Sequence, residues 1–332
     1  MPTTFKSLMI AWAVCLTIVF GGIALLEATY DPDAQTADDE QAASPEVAEV
    51  DTGPQAPPFR PIPVQASSDL LELSDQGPLP IVSDAGERAA DYYAATPVFA
   101  PEKAKIAIIV SDLGKLARQT RRALAEMPPG TTFAFSPFGQ GNNGWAEQAR
   151  RANHEVLLMV PMEPVNYPQD DPGILTLLVT NTPQQNQRWL RESLSKLTGY
   201  VGVLSHKGSR FTAAIDSMRP VMQELATRGI MYVDAQESQY TTGPDLANGL
   251  NMPFAVNSRI GFIDEEPSAA VISERLDELE RMAARDGYAV GIIRPLPVSM
   301  DAVNIWAGGL EARGAATLAP ISQVARLQTT AP

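Results

Sequence analysis

Cysteine, histidine and cationic side chains are scarce in this chain of 332 residues. Its one cysteine, Cys15, lies inside an apolar run, which excludes both a disulfide framework and a cysteine-based zinc site. Lys and Arg number 25 against 39 Asp and Glu, for a formal net charge of −14. Without a basic excess to neutralise phosphates, a nucleic-acid partner is excluded too. The 2 histidines are His154 and His206, so any imidazole chemistry must run through one of them.

The apolar residues, 45% of the chain, are unevenly spread. From Leu8 to Leu26 nineteen residues pass without a charge, about the length that crosses the hydrocarbon core of a bilayer. Lys6 precedes the run and Glu27, Asp31 and Asp33 follow it, an asymmetry that keeps the N-terminus cytoplasmic and exports the rest. Small-residue cleavage positions around Ala24 and Ala28 are weak, so residues 1–30 read as an uncleaved transmembrane anchor, with a signal peptide as the alternative. Residues 31–100 are rich in Asp, Glu, Ala and Pro and almost free of Lys and Arg in their first half. Such a segment buries too little apolar surface to offset its ordering entropy, and a disordered linker is expected. Short apolar patches at Phe59–Val64 and Leu70–Leu73 are the points where it could dock on a following domain.

From 103 to 328 short β-branched runs alternate with amphipathic stretches, the pattern of a parallel α/β sheet. Seven or eight such units in about 225 residues predict a deformed (β/α) barrel, with a doubly wound open sheet as the alternative. In either fold the C-terminal ends of the strands face the ligand crevice. The run Ile106–Val110 delivers Ser111 and Asp112 there. HEVLLMVPMEP delivers Glu163 between Pro161 and Pro164, YVGVLSHKGSRF delivers His206, Lys207 and Arg210, and two further strands end in Asp234 and Arg294. One imidazole with several carboxylates is a workable ligand set for Zn²⁺ or Mn²⁺. The structural alternatives are helix capping by Asp112 or Asp234 and an ion pair between Arg210 and a carboxylate. His154 precedes its strand and belongs on the opposite rim.

Taken together, SDLG after an apolar strand, HEVLLMVPMEP, GYVGVLSHKGSRFTA, YVDA and a late LPVS resemble the divergent polysaccharide deacetylase family over about residues 105–325. These are membrane-anchored or exported envelope proteins of Gram-negative bacteria. The resemblance implies a deformed barrel in which an Asp and histidines hold a divalent metal, Zn or Mn, that activates water against an acetyl group. By position Asp112 falls on the metal-binding Asp and His206 on the metal-binding His, with Glu163 as a third candidate ligand and Asp234 as candidate base. Ser111, Lys207, Arg210 and Arg294 are the candidate substrate-binding groups. The family's base is an Asp where this chain has Ser111, and two family histidines are replaced by Met159 and Arg294. A hydroxyl cannot accept a proton at neutral pH, a thioether is a poor ligand for a hard or borderline cation, and a guanidinium opposes one.

Two functions follow. One is a metal-dependent deacetylase acting on an envelope glycan. The other is a non-catalytic relative whose rim binds a glycan or an envelope protein. Both imply a protein held in the inner membrane by its N-terminal helix, with the domain in the periplasm. Fractionation of a tagged protein should therefore recover it with membranes and with its first thirty residues attached. A mostly soluble product lacking them would refute the anchor.

Overall fold

The structure is a computed structural model and describes residues 61–95, 102–259 and 261–330. The expected anchor and the acidic first part of the linker lie outside the described residues. Among the described residues no helix is long and apolar enough to cross a membrane.

An antiparallel hairpin comes first, β1 (Leu71–Ser74) and β2 (Gly77–Pro80). The barrel begins with β3 (Ala104–Leu113), whose residues Ile106–Val110 are fully buried. A strand covered on both faces has no place for polar alternation, hence its continuous β-branched run. Along one edge β3 pairs with β9 (Tyr288–Ile293) from Lys105 to Val110. The other edge is shared by β10 (Ala316–Leu318), which pairs with Ala104–Ile106, and by β4 (Thr132–Phe135), which begins at Ile109. The sheet then continues, all parallel, through β5 (Val156–Met162), β6 (Gly202–Lys207), β7 (Met231–Asp234) and β8 (Phe254–Val256). Backbone bonds from Ser258 to Val290 and from Ile263 to Ile292, both 2.9 Å, draw the segment after β8 onto β9. The result is a nearly closed parallel barrel of seven strands with β10 as a short addition.

Helices join the strands and cover the outside, at Ala117–Glu126, Asn142–Arg151, Pro183–Leu194, Ile215–Thr227, Ala269–Asp286 and Pro297–Arg313. Their starts are locally encoded in places. Before Pro183–Leu194, Thr182 accepts the N–H of Gln185 and Pro183 occupies the first turn, where its missing donor costs nothing. The closing helix Ile321–Thr330 is an addition to the elements expected from the sequence.

The largest difference from expectation concerns residues 61–95, which the composition assigns to the disordered linker. They form an ordered strap on the barrel, with Ile62, Leu70, Leu79 and Tyr93 buried. Polar anchors reinforce these few apolar contacts. Arg150, itself buried, donates to the carbonyl of Val64 at 2.9 and 2.6 Å. Arg228 donates to the carbonyl of Pro80 at 2.9 Å and to Glu72 at 3.0 Å. The N–H of Ala95 reaches the buried carboxyl of Glu155 at 2.8 Å. A composition average misses this because each guanidinium sits on the barrel, while the strap offers mainly backbone carbonyls and the single carboxylate of Glu72.

Two changes test the strap. Leu79→Ala should cost about 2–5 kcal/mol by opening a cavity in the core. A chain starting at residue 103 should melt well below one starting at 61, because it leaves two buried guanidiniums short of acceptors. Equal melting temperatures for those two chains would show that the strap is a passenger.

Candidate functional site

The barrel mouth is built around the end of β3. Between Val110 and Leu113 the pairing with β4 shifts register, and Asp112 takes a left-handed backbone with φ 57°, which a non-glycine residue adopts at some cost. Its N–H points at the sulfur of Met159 on β5, 3.2 Å away. The Lys115 ammonium lies 2.6 Å from Asp112 Oδ1. Ser111 Oγ is 3.1 Å from the carbonyl of Ile293 and 3.2 Å from Asp112 Oδ2, so its one proton is used inside the frame.

His206 arrives on β6, paired in register with Pro161 of β5, and is half-buried. Burial drives its pKa down to about 4, Asp112 pulls the other way, and Lys115 and Lys207 add to the fall. The imidazole is neutral at pH 7 and forms no hydrogen bond among the described residues. Burial also disfavours the Asp112 carboxylate, but His206 and Lys115 outweigh it and hold the carboxyl below its usual range.

The other candidates reach the same rim and are committed elsewhere. Glu163 is buried, accepts from Arg210 Nη1 at 2.7 Å and from the N–H of Val179 at 2.6 Å. Its carbonyl also takes the N–H groups of Arg210 and Phe211. It therefore staples the β5 and β6 exits together instead of joining Asp112 and His206 as a ligand, and Arg210 is held with it. Asp234, expected as a base, is buried and accepts from Tyr232 Oη at 2.9 Å, Thr241 Oγ1 at 2.6 Å and the N–H of Gln236 at 2.7 Å. Burial raises its pKa, but with three donors around it the carboxyl shapes its own loop and is not a free base. Lys207 pairs with Asp170 at 2.9 Å.

Arg294 clamps the buried Asp264. Its N–H lies 2.8 Å from Oδ2, Nε 3.3 Å from Oδ1, and Nη2 2.6 Å from the Asp264 carbonyl. Ser299 completes the set at 2.6 Å, and the Arg294 guanidinium lies over the Phe262 ring. Asp264 was not legible as a site residue, since no strand leads into it. Glu237 was also missed, although it stands just past the end of β7. It is half-buried, forms no hydrogen bond among the described residues, and lies near Lys207, Glu265, Asp170 and Asp112. His154 sits at the foot of β5 as expected, bonded through Nδ1 to the Thr131 carbonyl at 2.8 Å.

A divalent metal does not fit this arrangement. Among the described residues no three His, Cys, Asp or Glu side chains are grouped to hold one. Asp112 and His206 form the only part of the expected set that comes together, and the Asp112 charge is already met by Lys115.

A model of divergent polysaccharide deacetylases matches residues 108–325. Among solved structures, the uncharacterized protein ATU2773 from Agrobacterium tumefaciens C58 superposes with a TM-score of 0.71 at 31% identity, covering 75% of this chain and 99% of that one. The uncharacterized protein YibQ of Escherichia coli (strain K12) is 26% identical over 196 residues, which is 59% of this chain and 60% of its own length. An uncharacterized protein of Haemophilus influenzae is 24% identical over 201 residues, 60% of this chain and 69% of that one.

The neutral His206 has a measurable consequence. Its pKa in the fold, about 4, lies below the unfolded value of about 6.5, so between those values the unfolded chain binds more protons. Stability should therefore fall as the pH is lowered from 6.5 towards 4. Comparing wild type with His206→Gln isolates this group, and the variant should lose part of that slope. Identical slopes would mean that the imidazole titrates normally.

Proposed function

This chain belongs to the divergent polysaccharide deacetylase family, and we propose that it uses the family's barrel mouth to bind a ligand of the cell envelope without hydrolysing it. The use made of Ser111, Met159 and Arg294 carries this reading. At the place of the base, Ser111 closes a bond to the carbonyl of Ile293. At one imidazole position the sulfur of Met159 receives the N–H of Asp112. At the other, Arg294 holds Asp264. Each replacement stabilises the mouth and none offers a proton acceptor or metal ligand. Among the described residues no three metal-ligating side chains are grouped to hold a cation that would activate water.

Binding needs less than catalysis does. The mouth keeps the neutral imidazole of His206, the Asp112–Lys115 pair and the Lys207–Asp170 pair, a mixed set of donors and acceptors on a rigid frame. We place the domain on the periplasmic side of the inner membrane, held by the apolar run Leu8–Leu26, where envelope glycans and envelope proteins are the available ligands. A residual metal-dependent hydrolase is the second reading, favoured by one observation: His206 has unbonded ring nitrogens beside Asp112.

Calorimetry with Zn²⁺ and Mn²⁺ on wild type, His206→Ala and Arg294→His separates the two. We expect no binding by wild type or His206→Ala. Arg294→His removes an opposing charge but also strips Asp264 of its clamp, so it should lower the melting temperature without creating a tight site. Wild-type affinity lost in His206→Ala, together with release of acetate from an acetylated glycan, would overturn the non-catalytic reading.

A further inference from the structure

Large apolar side chains are exposed around the mouth in a pattern that the barrel does not require. Leu116 is 58% exposed, Val165 71%, Ile174 80% and Tyr240 72%, with Phe138 at 37%. All five lie on loops that leave the C-terminal ends of strands, after β3, β4, β5 and β7. These loops touch one another. A Cβ on Gly139 would lie 2.9 Å from the Cα of Gly114, and one on Gly173 would meet the Phe138 ring at 2.6 Å. The N–H of Val165 bonds Ser209, and the N–H of Thr242 bonds the Thr212 carbonyl. The apolar residues thus lie on adjoining loops of one rim, and exposed apolar side chains gathered at one end of a fold mark an interaction site.

The chemistry of the rim favours a polypeptide over a sugar. Sugar C–H faces pack best on aromatic faces, which carry a negative quadrupole. Three of the five side chains, including the most exposed, are aliphatic. Inside the rim the balance of charge is negative. Lys115, Lys207, Arg210 and Arg294 each bond a carboxylate. Glu237 bonds nothing among the described residues, and Glu265, Asp170 and Asp112 crowd it with like charge. Burial raises the Glu237 pKa, Lys207 opposes it, and Glu265, Asp170 and Asp112 add to the rise; since Lys207 is already paired with Asp170, a second cation would be welcome there.

We propose that the rim docks a polypeptide segment in which a lysine or arginine, flanked by apolar residues, enters the mouth towards Glu237 while its neighbours cover Val165, Ile174 and Leu116. This rests on the non-catalytic reading of the same mouth and names the class of partner.

Random peptides displayed on phage and panned against the full chain test it. The enriched sequences should combine Lys or Arg with apolar neighbours. A synthetic copy should bind about tenfold or more weakly to the double variant Val165→Ser/Ile174→Ser, and Glu237→Gln should weaken binding and flatten its salt dependence. Ile305→Ser, equally exposed on the outer helix Pro297–Arg313, should change nothing. The substituted rim side chains are exposed, and matching melting temperatures confirm that the variants fold. Enriched peptides that bind the double variant as tightly as wild type, peptides without basic residues, or no enrichment at all would each overturn the proposal. So would binding of an N-acetylglucosamine oligosaccharide that those substitutions abolish in the absence of any peptide binding. Acetate release from that oligosaccharide would instead strike the non-catalytic reading, whatever the peptides do.

Discussion

One strand sets the geometry of this protein. β3 pairs with β9 along one edge and divides the other between β10 and β4, so it meets three neighbours while its middle is wholly buried. A strand so placed must satisfy its backbone entirely through pairing and its side chains entirely through apolar packing. Both demands end together at Ser111 and Asp112, where the register against β4 shifts and the chain turns left-handed. The mouth begins where the constraint on β3 stops, and the neighbouring strands deliver their own ends around it.

The same constraint explains what could be read from the sequence. Strands buried on both faces are continuous apolar runs, and the runs at Ile106, Val156, Tyr232 and Val290 all became barrel strands. β6 extends farther than its apolar run because its ladder with β5 continues through Ser205, His206 and Lys207, polar residues that pair through their backbone. The strap was hidden for the complementary reason. Its hold depends on Arg150 and Arg228, residues remote in sequence whose acceptors on the strap are the carbonyls of Val64 and Pro80 and the one carboxylate of Glu72, and a carbonyl carries no residue-type signal.

At the site, position was legible and partnership was not. Asp112, Glu163, His206, Asp234 and Arg294 were all expected at strand exits, and they are there. Nothing in their spacing tells that Glu163 faces Arg210 or that Arg294 finds Asp264, because those partners lie on loops whose paths follow from the nearly closed barrel. The possibility that Arg210 bonds a carboxylate could be stated from sequence, but which carboxylate depended on the fold.

The loop network also shows how the carboxylates of the mouth are met by the chain's own cations. A divalent ion would neutralise several carboxylates at once and tie their loops together. Here internal cations do that work pairwise, through Lys115 with Asp112, Lys207 with Asp170, Arg210 with Glu163 and Arg294 with Asp264. The pairs are unequal. Lys115 and Lys207 are partly exposed, where an ion pair contributes about 0–1 kcal/mol. Glu163 and Asp264 are buried, and stripping the partner from a buried charge costs about 3–5 kcal/mol. The two arginine clamps therefore fix the frame of the mouth, while the two lysine pairs can open to exchange partners.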